Sequence, residues 1–565
     1  VTSINLEENF FVKLPGKSLD SNGKPYVRLP SITRIIVFNC LFLLSFERDR
    51  ALATDTIEYH GLVADQNGSP INKATVRLQG TSSSTLTDLG GAFLLRTDKA
   101  TLARHITAWK TGYYNGGQPL SAGLKEYKIV LQPIPVTDNK GYAWRPSFHA
   151  SFPEEKAGIQ PCKVCHARLV NQWEKSSHRR SAVNPLFLFF FKGTNIDGKQ
   201  AHGPGYRLDF PNSSGNCATC HVPAMALDAP FASDPEKAWG PAKEGIFCDF
   251  CHKIDDARID DSGGYPGTLS FQLKRPAEGD QLFYGQFDDV FPGDDSYHPL
   301  YKESRYCAPC HHGKFWNVLM YSEFKEWTES SYATKKVQCQ DCHMAPETTE
   351  NRFAPDTKGG VERIPQTIAS HVFNGVNDRE LMQNAIDLDA RVELKNKELA
   401  VTATVKNIRA GHHYPTGNPM RNMILLVEAR EANGRSLPLL SGERVPVWGG
   451  IGSVEEGNYA GLPGKGFAKI LRDLISYPDK QGLRHFQPEY PAPHWRPTFI
   501  ESDNRIPANG ADLSRYYFSV PDTLKGAIHV DVRLIFRKAF KSWMEKMGLA
   551  ANDLELARKS QIIER

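Results

Sequence analysis

The sequence predicts a multidomain α+β protein: an N-terminal β-sandwich, a central mainly α/irregular region, and a C-terminal β-sandwich-like domain. Three observations predict it. Alternating apolar and polar runs, broken by Gly, Asn and Asp, fill residues 57–133 and return after residue 385. Between them periodicity is poor, while Pro, Gly and aromatic residues abound. Ten of the 11 cysteines fall in that middle region. The 565 residues also exceed what one core organises. Lys+Arg (68) nearly balances Asp+Glu (64), so no broad basic surface is implied and nucleic acid is not an expected partner.

The first element is the apolar run "IIVFNCLFLLSF" (35–46), preceded by Arg34 and followed by "ALA" at 51–53. It is too short to span a bilayer and suits the core of a secretory signal. Residues 1–53 are therefore read as a leader, with the mature chain starting near Thr54. "ERDR" is unusually charged for a cleavage region, and the approach to the apolar core is long, which leaves Val27 as a candidate start. Cys40 lies inside the run and leaves with it. Without the leader, 61 basic residues face 59 acidic ones.

Residues 54–135 follow as a small antiparallel β-sandwich, on the alternation of "TVRLQ" and "AFLLR". This segment has no cysteine, and a structural or docking role is expected of it. Residues 136–384 form the cysteine-rich region. Residues 385–540 read as a second β-rich domain, from "RVELKNKELAVTATVKNI", "NMILLVEAREANGRSLPLL", "RYYFSVP" and "AIHVDVRLIFR", with "ANGR" as a hairpin turn. Residues 541–565 read as a helical tail, because Leu, Ala, Glu and Lys dominate.

The ten remaining cysteines form five copies of one pattern: "CKVCH" (162–166), "CATCH" (217–221), "CDFCH" (248–252), "CAPCH" (307–311) and "CQDCH" (339–343). A disulfide framework gives no reason for a histidine after every second cysteine. Zinc needs four ligands in tetrahedral reach and no such adjacency, and a redox dithiol would rarely recur five times. Covalent haem attachment explains every feature, since each thiol joins a vinyl group and the adjacent histidine ligates the iron. Five haem c groups are thus expected, held by Cys162, Cys165, Cys217, Cys220, Cys248, Cys251, Cys307, Cys310, Cys339 and Cys342. The proximal ligands are His166, His221, His252, His311 and His343. Motif starts 55, 31, 59 and 32 residues apart favour neighbouring haems in a continuous redox chain.

A carrier haem is normally six-coordinate, whereas a catalytic one keeps a position open. Among the 18 histidines, His178 is the first candidate for a sixth ligand. It lies on "ARLVNQWEKSSHRRSA", where Leu169, Val170, Trp173 and Ser177 predict an amphipathic helix. His371 in "ASHVFNG", His412 on the turn "AGHHYPTGNP", His298 and His149 complete the set. His202, His312 and His413 are reserves.

Residues 160–345 resemble the multihaem c-type cytochrome family of the cytochrome c-554 type, which includes the tetrahaem electron acceptor of hydroxylamine oxidoreductase. "NQWEKSSH", "GNCATCHVPA", "GIFCDFCHKI", "SRYCAPCHHG" and "EFKEWTESSYATKKVQCQDCHM" carry the resemblance. It implies a distal role for His178, and "GHHYPTG" is similar to a GHxxPTG phrase of related multihaem cytochromes, which selects His412 over His413. Residues 59–95 are similar to carboxypeptidase regulatory-like domains, a likeness of fold and not of peptidase chemistry. A fifth haem and two added domains depart from the family. Pentahaem nitrite reductases normally carry a CxxCK motif, and this chain has none.

The expected function is an exported periplasmic or extracellular carrier of single electrons in respiratory or extracellular electron transfer. Its expected partners are redox protein donors and acceptors, with association to membrane respiratory complexes or the cell surface. The alternative is a reductase or oxidase of small nitrogen or sulfur species at one five-coordinate haem, so the sequence leaves open whether the protein is an enzyme.

Overall fold

A computed structural model describes residues 56–97, 103–124, 126–148, 160–199, 203–259, 264–347, 349–474, 489–550 and 553–564. The expected leader with Cys40, and the histidines His149 and His202, lie outside the described residues. The described residues within 59–95 and 102–565 form one compact unit, and the account below concerns that unit. Among the described residues no helix is long and apolar enough to cross a membrane.

The first strands are β1 (Ile57–Asp65), β2 (Thr75–Leu78), β3 (Ser84–Leu86), β4 (Ala92–Thr97), β5 (His105–Trp109), β6 (Gly116–Pro119) and β7 (Glu126–Leu131). They form a three-stranded sheet in the order β4-β1-β7 and a four-stranded sheet in the order β3-β2-β5-β6. Val63, Phe93 and Ile129 from the first meet Val76, Leu78 and Ile106 from the second in one core. β1 and β7 pair in parallel, with Val63 opposite Ile129, which corrects the fully antiparallel expectation. These two strands open and close the module, so the chain between them is long enough for the crossover that parallel pairing needs. Arg77 grips Asp288 through two bonds (2.7 and 3.0 Å), and Asn115 N–H donates to the Asp295 carbonyl (2.8 Å). These contacts fix the sandwich to the cysteine-rich region.

That region is built of short pieces. Its two longer helices are α1 (Lys163–Glu174) and α2 (Pro185–Lys192). α1 buries Leu169, Val170 and Trp173, as the periodicity predicts, but ends at Glu174. His178 therefore lies in the turns beyond it, and Ser176, rather than Ser177, is buried. Adjacent serines offer the backbone competing hydrogen bonds and favour a turn there. α2, "PLFLFFFK", has an Asn184 side chain capping Phe187 N–H, Pro185 in its first turn and Gly193 in the left-handed conformation at its end.

The C-terminal region is a sandwich. A four-stranded sheet, ordered Ile386–Lys395, Glu398–Asn407, Ala511–Ser519, Leu439–Ser441, packs on a five-stranded one, ordered Thr498–Asp503, Gly464–Asp473, Asn422–Glu431, Ile528–Arg537, Leu554–Ile563. Leu388, Val401 and Phe518 of the first interlock with Met423, Leu425 and Val532 of the second. The other face of the five-stranded sheet is covered too, with Ile424, Leu426 and Ile470 packed with Phe190, Trp495 and Trp543. Burial on both faces explains why the strand "NMILLVEARE" is almost continuously apolar. The tail read as helical is a short helix, Lys541–Lys546, followed by the strand Leu554–Ile563 on the free edge of Ile528–Arg537. An unpaired edge offers ten residues of backbone pairing, which outweighs helix propensities of a few tenths of a kcal/mol per residue.

Candidate functional site

Four of the five motifs end in a single turn of helix, at Ala218–His221, Cys248–Cys251, Ala308–His311 and Cys339–His343. The first, at Cys162–His166, opens α1, whose helical register breaks at His166 (φ −112°, ψ 41°). Helical residues three apart share a face, so a turn at this spacing turns both cysteines the same way. All ten cysteines are free of disulfides. Thiols of different motifs act on one another electrostatically: Cys162 with Cys248, Cys220 with Cys310, and Cys307 with Cys339.

Four motifs line one cavity of about 1740 Å³, which exceeds the roughly 300–1,000 Å³ of a single small-molecule site. Into it point His221, His252, His311 and His343, together with His178, His371, His412 and His494. Phe187, Phe250, Tyr301, Tyr306, Tyr321 and Phe373 supply aromatic wall. His166 and the thiols of the first motif lie outside this lining.

The motif histidines share one polar arrangement. His221 Nδ1 meets the Ser181 carbonyl (3.0 Å), His252 that of Tyr284 (2.6 Å), His343 that of Asn374 (2.6 Å) and His166 that of Phe353 (3.4 Å). A carbonyl oxygen only accepts, so the proton sits on Nδ1 and each Nε2 keeps a lone pair for a metal. His311 departs from this pattern, because its Nδ1 donates to the Glu323 carboxylate (3.5 Å). Burial lowers the pKa of His311, but Glu323 outweighs it and the net shift is upward. The other four motif histidines are shifted down, chiefly by burial, with His221 at about 4.

His412 stands across from His343 with ring centroids 6.3 Å apart and planes within 14°. A metal about 2 Å from each facing nitrogen places two imidazoles at about this separation. The turn that carries His412 leaves the C-terminal sandwich at Asn407, whose side chain donates to the His412 carbonyl (2.8 Å). Its neighbour His413 instead faces Glu326, which accepts from the His413 N–H (3.0 Å). His371 and Asn374 belong to one loop, so a single segment faces two motifs. Between them Phe373 lies edge-on to His178 (4.5 Å) and to His371 (5.9 Å). Burial pushes His178 and His371 down to about 3, His178 further by His311 and His343, and His371 further by His252 and His166. Both are neutral imidazoles at ordinary pH, the form that binds metal.

The sequence reading does not include His494. It lines the cavity from the C-terminal region, pushed down to about 4 by burial and then by His221. Tyr321 O–H stands 3.3 Å from its Nε2. Next to it, Trp495 and Arg496 bind the buried Asp209 carboxylate (2.7 and 2.7 Å). The only local signal for it is "PAPHWRP", where prolines and a tryptophan hold the backbone. His298, by contrast, is outside the cavity lining, and its Nδ1 accepts from Leu300 N–H (3.3 Å) at the start of a short 3-10 turn. His312 is buried edge-on to Phe324 (5.8 Å) and is also outside the lining.

These features fit haem: thiols in attachment spacing, protons fixed on Nδ1, an imidazole pair spaced for one iron and an apolar cavity too large for one small ligand. Such a set of residues suits covalent attachment of several haems. Residues 161–253, which hold three of the five motifs, match the family model described as "Cytochrome c554 and c-prime". Among solved structures, the penta-heme cytochrome c552 from Thermochromatium tepidum matches with a TM-score of 0.49 and 19% identity, over 71% of this chain and 97% of that chain. No curated protein matches the chain.

Proposed function

We propose that the chain is an exported five-haem carrier of single electrons, serving respiratory or extracellular electron transfer between redox-protein donors and acceptors. The reading rests above all on the His343–His412 pair, at 6.3 Å and 14°. At the other cavity sites the proposed pairs join each histidine to the motif histidine that weighs most on it electrostatically: His221 with His494, His252 with His371, and His311 with His178. A six-coordinate iron leaves no position for substrate, which suits a carrier. When bound, haem supplies a reversible one-electron couple. The polypeptide supplies the rest: the motif histidines are oriented by their Nδ1 bonds, and aromatic walls exclude water. Two distal histidines, His412 and His494, come from the C-terminal region, so that region completes the haem sites rather than merely flanking them.

Export is supported by the apolar run at 35–46 and by the attachment motifs themselves. Docking to a membrane complex or the cell surface is assigned to the N-terminal sandwich, which contributes no cysteine to the motifs. Electron paramagnetic resonance of the oxidised protein tests the proposal. Low-spin ferric signals from the four cavity haems are expected, whereas a dominant high-spin signal that responds to nitrite or hydroxylamine would favour an enzyme.

A further inference from the structure

The fourth motif differs from the others in two ways that meet at one residue. The first is its neighbours. Tyr306 O–H, one residue before Cys307, donates to the carbonyl of Cys251 in the third motif (3.0 Å). Ser304 Oγ accepts from the N–H of Cys339 in the fifth (2.9 Å), and Gln340 Nε2 donates to the Glu303 carbonyl (2.8 Å). The thiol of Cys310 interacts electrostatically with that of Cys220 in the second, and both line the shared cavity. The fourth site thus borders three others, while Cys162 of the first motif adjoins Cys248 of the third. The arrangement is a branched chain with the fourth site at its fork.

The second difference is the partner of the motif histidine. His166, His221, His252 and His343 each donate to a neutral carbonyl, whereas His311 donates to the carboxylate of Glu323. A full negative charge beyond Nδ1 raises the donor strength of Nε2 and favours ferric over ferrous iron. Glu323 lines the cavity as a half-buried residue, and its carboxylate faces Arg421, Tyr321 and Glu326 as well as His311. Gly417 makes room for this packing. Its φ is +85°, and a Cβ there would lie 2.2 Å from Arg421 Nη1 and 3.3 Å from Glu323 Oε1.

We propose that Glu323 is a positioning residue that lowers the reduction potential of the haem held by Cys307, Cys310 and His311, setting the fork of the chain apart from its arms. This rests on the five-haem reading. An electron that crosses from one arm to another then passes through a site whose hold on it Glu323 weakens.

Glu323→Gln tests this, because the amide keeps the shape and removes the charge. In a spectroelectrochemical titration of the full five-haem protein, one reduction step is expected to move upward while the other four stay. One low-spin resonance is expected to shift with it. Five unmoved steps in a protein whose mass shows five haems would overturn the inference and leave the five-haem reading intact. A wild-type mass without haem would instead overturn that reading. If Glu323→Gln does not retain five haems, Glu323→Asp withdraws the charge by one methylene, and a smaller upward shift of one step is expected. No shift in that variant would overturn the inference.

Discussion

His494 and His412 reach the cavity from outside the stretch that carries the motifs, and a motif histidine can be read from spacing alone where these two cannot. Thioether attachment demands two thiols and an imidazole at fixed spacing, so all five CxxCH copies are legible in the chain. A sixth ligand has no spacing rule; tertiary structure alone brings it in. His412 is legible by another signal, because its turn is punctuated by Gly411, Pro415 and Gly417. His298 has a similar Pro neighbour, lies outside the cavity lining, and accepts at Nδ1 from the N–H of Leu300. Replacing His494 by alanine should leave the thioether-held haem in place and open one axial position. A high-spin ferric signal from a single iron is the expected result in paramagnetic resonance; a spectrum identical to wild type would remove His494 from the ligand set.

At the scale of elements, the helix Glu323–Thr328 joins the motifs to the C-terminal sandwich through charge. Glu326 accepts from Ser322 (2.5 Å) and pairs with Arg505 (2.7 Å), with His413 and Lys469 also in reach. Burial raises the Glu326 carboxyl, but Arg505, His413, Ser322 and Lys469 overcome it and hold it at about 2, against an ordinary 4.5, with Glu323 the opposing like charge. A folded-state value below the unfolded one adds stability at neutral pH, by roughly 3 kcal/mol, that is lost as pH falls from about 4.5 through about 2. Denaturant unfolding of Glu326→Gln beside wild type should therefore show a gap that is full at pH 6 to 7 and narrows below about pH 4.5. A gap independent of pH would contradict the assignment. The sandwich strands are legible because a half-buried strand alternates, as in "TVRL" and "ELAVTATVKN". The strand Leu554–Ile563 is not, since its composition favours helix and only the open edge of Ile528–Arg537 makes it extended. The early end of α1 escapes periodicity for a related reason, because Ser176 and Ser177 stop a helix that the apolar spacing would carry on.

Over the whole molecule, the poor periodicity of the middle region has a physical cause in the cavity of about 1740 Å³ at its centre. Side chains there turn toward a shared cofactor space rather than toward one another, so neither a 3.6- nor a 2-residue repeat survives. The buried Arg496–Asp209 pair and the packing of α2 against Trp495 and Trp543 hold the C-terminal sandwich to that space. His412 and His494 depend on that attachment. The central claim is that ten thiols tether five haems around which these elements are arranged. Intact-mass spectrometry of the protein matured in a host competent for c-type haem attachment tests it most directly. The account predicts an increment of five haems that survives denaturation and acid extraction, and a mass equal to bare polypeptide, or one carrying fewer than five, would contradict it.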